Sequence, residues 1–264
     1  MSVDQPIPLG PAVREVIRDD QLVEVAVDDG TVLLRPEGGR DLAVLRRSSP
    51  DTVALLDQAD RLLWLGGEGP APAFVASSRS DQGDEEIVVQ LGTHATAASL
   101  GHPMGPEALV EALAASLRSL HERSTVQCPF VADTPALRIV VDERINRGAV
   151  AESAAGPYAG RSPAALAEIF DGLMEDLGEA DDPVCIHSAL ASTRIWLDPS
   201  GEVTFLGWQS AGLGDRHVDL AAVASMLTEL HGPALVAPFF EAYGFEHVDL
   251  RRLDAHQLLA HLLS

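Results

Sequence analysis

Short stretches of alternating polarity come first in this chain, and long helical stripes come later. A short helix is expected at Pro11–Arg18. Gln21–Val27 then alternates polar and apolar positions as a strand with one covered face does, Asp28-Asp29-Gly30 carries tight-turn residues, and Thr31–Leu34 is the return strand. Pro50–Gly66 sets Leu55, Leu56, Leu62, Leu63 and Leu65 on the core side of a helix, with Asp57, Asp60 and Arg61 outward. Phe74–Ala76 and Ile87–Leu91 are further strands, parted by a polar tip at Arg79–Glu86. From Pro106, Leu109, Leu113, Leu117 and Leu120 form one helical stripe, whereas residues 131–162 read as loop-rich and poor in helix. Ser162-Pro163 is a cap and first-turn pair that opens a helix through about Leu177. After an apolar strand ending at His187 comes a hairpin, Ile195–Leu197 and Val203–Leu206, turning on Asp198-Pro199-Ser200-Gly201. A glycine-rich loop leads to three closing helices, Asp219–Leu230, Ala234–Tyr243 and Leu250–Leu263. Strands first and helices later is an α+β order.

The stretch from Val184 to Val223 organises the rest. It holds His187, Ser188 and Ala189, then Arg194, the hairpin, Gly207, Asp215 and finally Asp219-Leu220-Ala221. Two other segments go with it: Leu120-His121 followed by Cys128-Pro129-Phe130, and Phe239-Phe240-Glu241-Ala242-Tyr243-Gly244. Together they resemble the aminoglycoside phosphotransferases, a branch of the protein-kinase-like fold, over about residues 12–262. The resemblance implies a small antiparallel-sheet lobe with one helix at residues 1–91 and a larger, mostly helical lobe at residues 92–264. It also implies which positions should carry the chemistry, and there this chain departs from the pattern. Ala189 stands at the catalytic Asp, Arg194 at the metal-binding Asn, Gly207 at the metal-binding Asp, Arg35 at the strand lysine in Leu33-Leu34-Arg35, and Gln58 at the Glu that pairs that lysine. His187 and Asp219 are kept as a structural pair, and Leu91, Gly92 and Thr93 fall at the hinge where a nucleobase would meet backbone groups. The carboxylates with which the family closes are replaced by Leu259-Ala260-His261-Leu262.

The losses follow the chemistry of the reaction. Phosphoryl transfer needs an oriented acceptor hydroxyl, a group to take its proton, and a metal ion against the phosphate oxygens. Ala189 can neither take a proton nor orient a hydroxyl, Arg194 carries a fixed positive charge, and Gly207 offers no ligand. Three expectations result. The first is a catalytically inert, pseudokinase-like protein that acts by binding, with ATP or GTP held without Mg²⁺ and Arg35 and Arg194 facing its phosphates. The second is an active small-molecule phosphotransferase that recruits Asp215 as a substitute base. The third is a scaffold with a vestigial cleft and another protein as its partner.

Composition narrows the partners. The chain has 264 residues, 46% hydrophobic and 22% charged, enough to bury a sizeable core. Its net charge of −22 argues against nucleic acid and anionic membrane and would suit a small cationic molecule. All 18 basic residues are Arg, so a phosphate-loop lysine and a Schiff-base lysine are excluded. Cys128 and Cys185 fit no redox or metal spacing, and the nine histidines show no ligand pattern. There is no Gly-x-Ser-x-Gly elbow for an acyl-transfer nucleophile. The first ten residues lack the form of a signal peptide and no apolar run reaches about 18 residues, so a cytoplasmic location is expected.

Overall fold

The structure is a computed structural model in which residues 7–28, 30–48, 55–92, 95–98, 104–152 and 158–263 are described. The chain forms two compact units. One comprises residues 1–103 with 193–209, the other residues 104–192 with 210–264. Where a single cut after Leu91 is expected from the sequence, the units interleave, and the hairpin that follows Ser192 goes with the first.

The first unit is built on a five-stranded antiparallel sheet, in the order β1-β2-β3-β5-β4. A short helix, α1 (Pro11–Ile17), precedes β1 (Leu22–Asp28), β2 (Thr31–Pro36) and β3 (Leu42–Arg47). Helix α2 (Asp57–Leu65) follows, then β4 (Phe74–Arg79), β5 (Glu85–Gln90) and the two-residue β6 (Thr96–Ala97). Strand β3 is central and buried along nearly its whole length, which is why it shows no alternation and goes unread in the sequence. Val13 and Ile17 of α1 pack on Leu34, Val44 and Val88 from one face of the sheet. The Gly10 N–H fixes the start of α1 by donating to the buried Glu86 carboxylate at 2.8 Å. Helix α2 buries Gln58, Ala59, Leu62 and Leu65 and stops at Gly66, whose φ of 65° is the left-handed conformation a glycine adopts freely. Leu63, expected toward the core, is exposed instead, about 100° around the helix from Leu62. The hairpin β8 (Ile195–Leu197) and β9 (Val203–Phe205) pairs with β6 as a three-stranded sheet. Its turn forms because Asp198 accepts from the Ser200 and Glu202 N–H groups.

The second unit is mostly helical, as expected: α3 (Pro106–His121), α4 (Thr134–Asn146), α5 (Pro163–Leu177), α6 (His217–His231), α7 (Val236–Tyr243) and α8 (Leu250–Leu263). Helix α4 corrects the reading of residues 131–162 as helix-poor. Asp133 caps it by accepting from the Ala136 N–H at 2.9 Å, and a proline lies in its first turn. Its β-branched run, Ile139-Val140-Val141, argues for strand locally, but Leu137 and Val141 pack into the core beside Phe170, Leu258 and Leu259. Ser162 caps α5 through the Ala165 N–H, as its sequence indicates. The expected glycine-rich loop contains a strand, β10 (Gly212–Gly214), paired antiparallel with β7 (Val184–Ile186). A side chain at Gly212 would sit 2.9 Å from the Phe130 backbone, so the close approach requires glycine. Among the described residues no helix is long and apolar enough to cross a membrane.

Candidate functional site

In the first unit, the sheet face opposite α1 meets the β8–β9 hairpin at a small cavity. Successive strand residues point to opposite faces, and this sorts the two arginines at the end of β3. Arg46 turns toward α1 and pairs with Asp84, while Arg47 lines the cavity with Asp28, Leu33, Gln58, Arg194 and Gly207. Free space there is about 40 Å³, close to one water's share of liquid volume and far below the ~300 Å³ at which small-molecule pockets begin. The side chains themselves occupy the site.

Gly207 makes this filling possible. Its φ of +88° is unfavourable for residues with a side chain, and a Cβ there would lie 3.0 Å from Arg194 Cδ and 3.3 Å from Arg194 Nε. The arginine stem is laid across the space that an Asp side chain at this position would take. Arg194 Nε then donates to Asp28 Oδ2 at 2.6 Å, and Thr193 Oγ1 donates to Asp28 Oδ1 at 2.6 Å. Burial alone would raise the Asp28 carboxyl. The Arg194 charge, the two hydrogen bonds and the more distant Arg47 outweigh it and hold the group below the ordinary carboxylate value.

Gln58, fully buried, accepts from the Trp208 N–H at 3.4 Å, so it braces the turn beside Gly207. The sequence reading paired Gln58 with Arg35, and here the structure differs. Arg35 lies farther along β2 and donates to the carbonyls of Leu91 (2.7 Å), Gly92 (2.5 Å) and Ala95 (3.3 Å). Thr93 lies outside the described residues. Two basic residues share the cavity with Gln58, Arg194 and Arg47; sequence reasoning missed Arg47, whose signal was the run Leu42–Leu45 closed by Arg46-Arg47 ahead of α2. Beside Leu91 and Gly92 a second cavity, of about 290 Å³, has Asp41, Asp198 and Glu202 in its wall.

The second unit contains the loop His187-Ser188-Ala189, directly after β7. Its support is Asp219 on α6, which is completely buried. Asp219 Oδ2 accepts from the His187 N–H at 2.7 Å and Oδ1 from the Ser188 N–H at 2.8 Å, so the expected pair is made through the loop backbone. His121 Nε2 lies 3.3 Å from the same carboxylate, with His121 Nδ1 2.8 Å from the Tyr243 hydroxyl. Ser188 takes φ = +67°, a conformation costly for a non-glycine residue, and its hydroxyl donates to the Ser210 carbonyl at 2.8 Å. Ala189 ends this loop with a methyl group.

Asp215, the expected substitute base, is deeply engaged. Its Oδ1 accepts from the His217 N–H (2.9 Å) and from His217 Nδ1 (2.6 Å); its Oδ2 meets Arg252 at 2.9 Å and His256 Nε2 at 3.2 Å. The Asp249 N–H donates to His217 Nε2 at 2.8 Å, which leaves the ring proton on Nδ1, facing Asp215. Burial would raise the Asp215 carboxyl, but the hydrogen bonds from His217 and the close approach of His256 outweigh it and hold the group well below the usual carboxylate range. A carboxylate so stabilised is a weak proton acceptor.

A Mg²⁺ ion requires hard oxygen ligands in near-octahedral array. In the Arg194 cavity the carboxylate is Asp28, both of whose oxygens are engaged, and Gly207 brings no ligand. The residues present therefore do not fit Mg²⁺ there, and among the described residues no cluster of His, Cys, Asp and Glu could hold a metal ion.

Residues 23–256 match the phosphotransferase enzyme family, APH. An aminoglycoside 3′-phosphotransferase of Streptomyces fradiae is 30% identical over 259 residues, covering 88% of this chain and 91% of that protein. One from Escherichia coli is 26% identical and covers 77% of this chain and 74% of its own. Among solved structures, an aminoglycoside 3′-phosphotransferase of type VIII superposes with a TM-score of 0.76 at 26% identity, covering 95% of this chain and 97% of that one. An aminoglycoside phosphotransferase of Streptomyces rimosus in complex with ADP and streptomycin gives 0.77 at 20% identity, covering 96% of each chain. These likenesses establish the protein-kinase-like fold.

Proposed function

The chain belongs to the phosphotransferase enzyme family, and from that premise we propose that it is a member that keeps the fold without the transfer and acts by binding a ligand. One observation carries this reading. The Arg194 stem lies across Gly207 and its guanidinium is paired with Asp28, so a fixed cation stands in the cavity where the family resemblance puts metal ligands. A transferring site needs a positioned base as well, and loss of one typically costs roughly 10²–10⁴-fold in rate. Ala189 supplies none, and Asp215 already has both oxygens occupied. On this reading ATP or GTP is held without Mg²⁺ where it is held at all. The test is phosphate transfer from ATP and from GTP, each with Mg²⁺, to a panel of aminoglycosides that includes streptomycin. No product above that of heat-denatured protein is expected; sustained turnover on any acceptor overturns the reading.

A second reading, an active aminoglycoside phosphotransferase, draws support from the full-length likeness to relatives that bear that name. Under it Asp215 serves as the base. Turnover that disappears in Asp215→Asn while the variant stays folded would favour this second reading.

A further inference from the structure

The cavity around Arg194 inverts the charge of the chain. Its charged lining residues, among those described, are Arg47, Arg194 and Asp28, two positive and one negative, in a protein of net charge −22. Its geometry is that of a receptor for an oxyanion. Thr193 and Arg194, neighbours at the start of the hairpin, each give one hydrogen bond to a different oxygen of the same carboxylate, both at 2.6 Å. Guanidinium and hydroxyl donors serve phosphate oxygens as well as carboxylate oxygens, and they do so without a metal.

The two sides of this contact are unequally held. The Arg194 side chain is 10% exposed and packed against Gly207, whereas Asp28 is 30% exposed and ends β1 beside the turn to β2. The cation is fixed and the carboxylate is on the more accessible element. We infer that Thr193, Arg194 and Arg47 form a metal-independent oxyanion site whose resident occupant is Asp28, and that a phosphate or polyphosphate group binds there by taking the place of that carboxylate. This rests on the reading of the protein as a binder in which a cation of its own stands where a metal would.

Inorganic tripolyphosphate is the probe, titrated calorimetrically into the full-length protein in EDTA. Asp28→Asn removes the competing charge and keeps the side-chain shape, so it should bind at least about tenfold more tightly than the native chain, a change of ~1.4 kcal/mol. Asp28→Ser guards against a folding defect peculiar to the first variant and should show the same tightening. Arg194→Gln in the Asp28→Asn background should lose about tenfold or more. Excess Mg²⁺ should weaken binding, because it neutralises the probe and finds no ligands in the site. ATP in the same buffer separates a nucleotide tail from free polyphosphate, and tightening of either by Asp28→Asn supports the site. Unaltered affinity in both Asp28 variants, with melting temperatures near native, overturns the inference, as does binding that appears only with Mg²⁺. Neither result touches the claim that transfer is lost, which falls only to turnover in the acceptor assay.

Discussion

The loop support in the second unit and the cavity in the first have met opposite fates. Around Asp219, every bond that shapes the His187-Ser188-Ala189 loop is in place: two backbone N–H groups on one buried carboxylate, with His121 behind it. Around Gly207, the positions that resemblance assigns to the metal carry a glycine and an arginine, and the arginine is tied to Asp28. The loop is braced as if it still presented a catalytic group, yet it ends in Ala189. Parts that hold the backbone are subject to the demands of folding alone, and a buried carboxylate with three partners cannot be lost cheaply. On the proposed reading, parts that act on substrate are free to change where no reaction is carried out, since the fold does not fix the function.

Substitutions rank this contrast, with the support expected to be the sensitive side. Asp219→Ala should have the largest effect, since it leaves two buried N–H groups without an acceptor; the cost is about 3–5 kcal/mol in urea denaturation. A loss below ~1 kcal/mol would mean the loop does not depend on that carboxylate. Asp215→Asn should cost about 2–4 kcal/mol, because Arg252 loses its charged partner. Its pH dependence follows from the sign of the shift. The folded carboxyl lies below the unfolded one, so its contribution is complete above about pH 4 and is lost as the pH falls below that value. Native protein should therefore lose stability steeply on acidification, and Asp215→Asn should flatten the profile.

The cavity side should be milder. Gly207→Ala, with φ at +88° and Arg194 Cδ 3.0 Å from the new Cβ, should cost about 1–3 kcal/mol. The smallest effects belong to Ser188. Ser188→Ala keeps the strained φ and loses the bond to Ser210, costing about 1 kcal/mol, whereas Ser188→Gly relieves the strain as it loses the bond and should fall within about 0.5 kcal/mol of native. A Gly variant less stable than the Ala variant would contradict the strain at this position.

What the sequence discloses divides along similar lines. Caps, turns and stripes are local, so Ser162-Pro163, the Asp198 turn and the Leu109–Leu120 stripe could all be read directly. Strand β3 could not, because a strand covered on both faces shows no alternation, and α4 could not, because its β-branched run conceals a helix held by Asp133 and the core. The unread β3 then shifted the site. With that strand missing, Arg35 stood in for the basic residue beside Gln58, although Arg35 grips the Leu91 and Gly92 carbonyls and Arg47 lines the cavity with Gln58. The exchange of Gly207 and Arg194 for metal ligands was visible as two separate substitutions. That they are one packing unit, anchored on Asp28 more than 160 residues earlier, is a long-range contact that no local pattern carries.

The central claim is that a cation belonging to the protein has taken the place of the metal, and thermal denaturation with ATP in EDTA and with ATP plus Mg²⁺ tests it most directly. The account predicts that Mg²⁺ adds no stabilisation to whatever ATP gives in EDTA. A rise in melting temperature that requires ATP and Mg²⁺ together would contradict it, because it would mean that the native protein binds the metal–nucleotide complex in preference to the metal-free nucleotide.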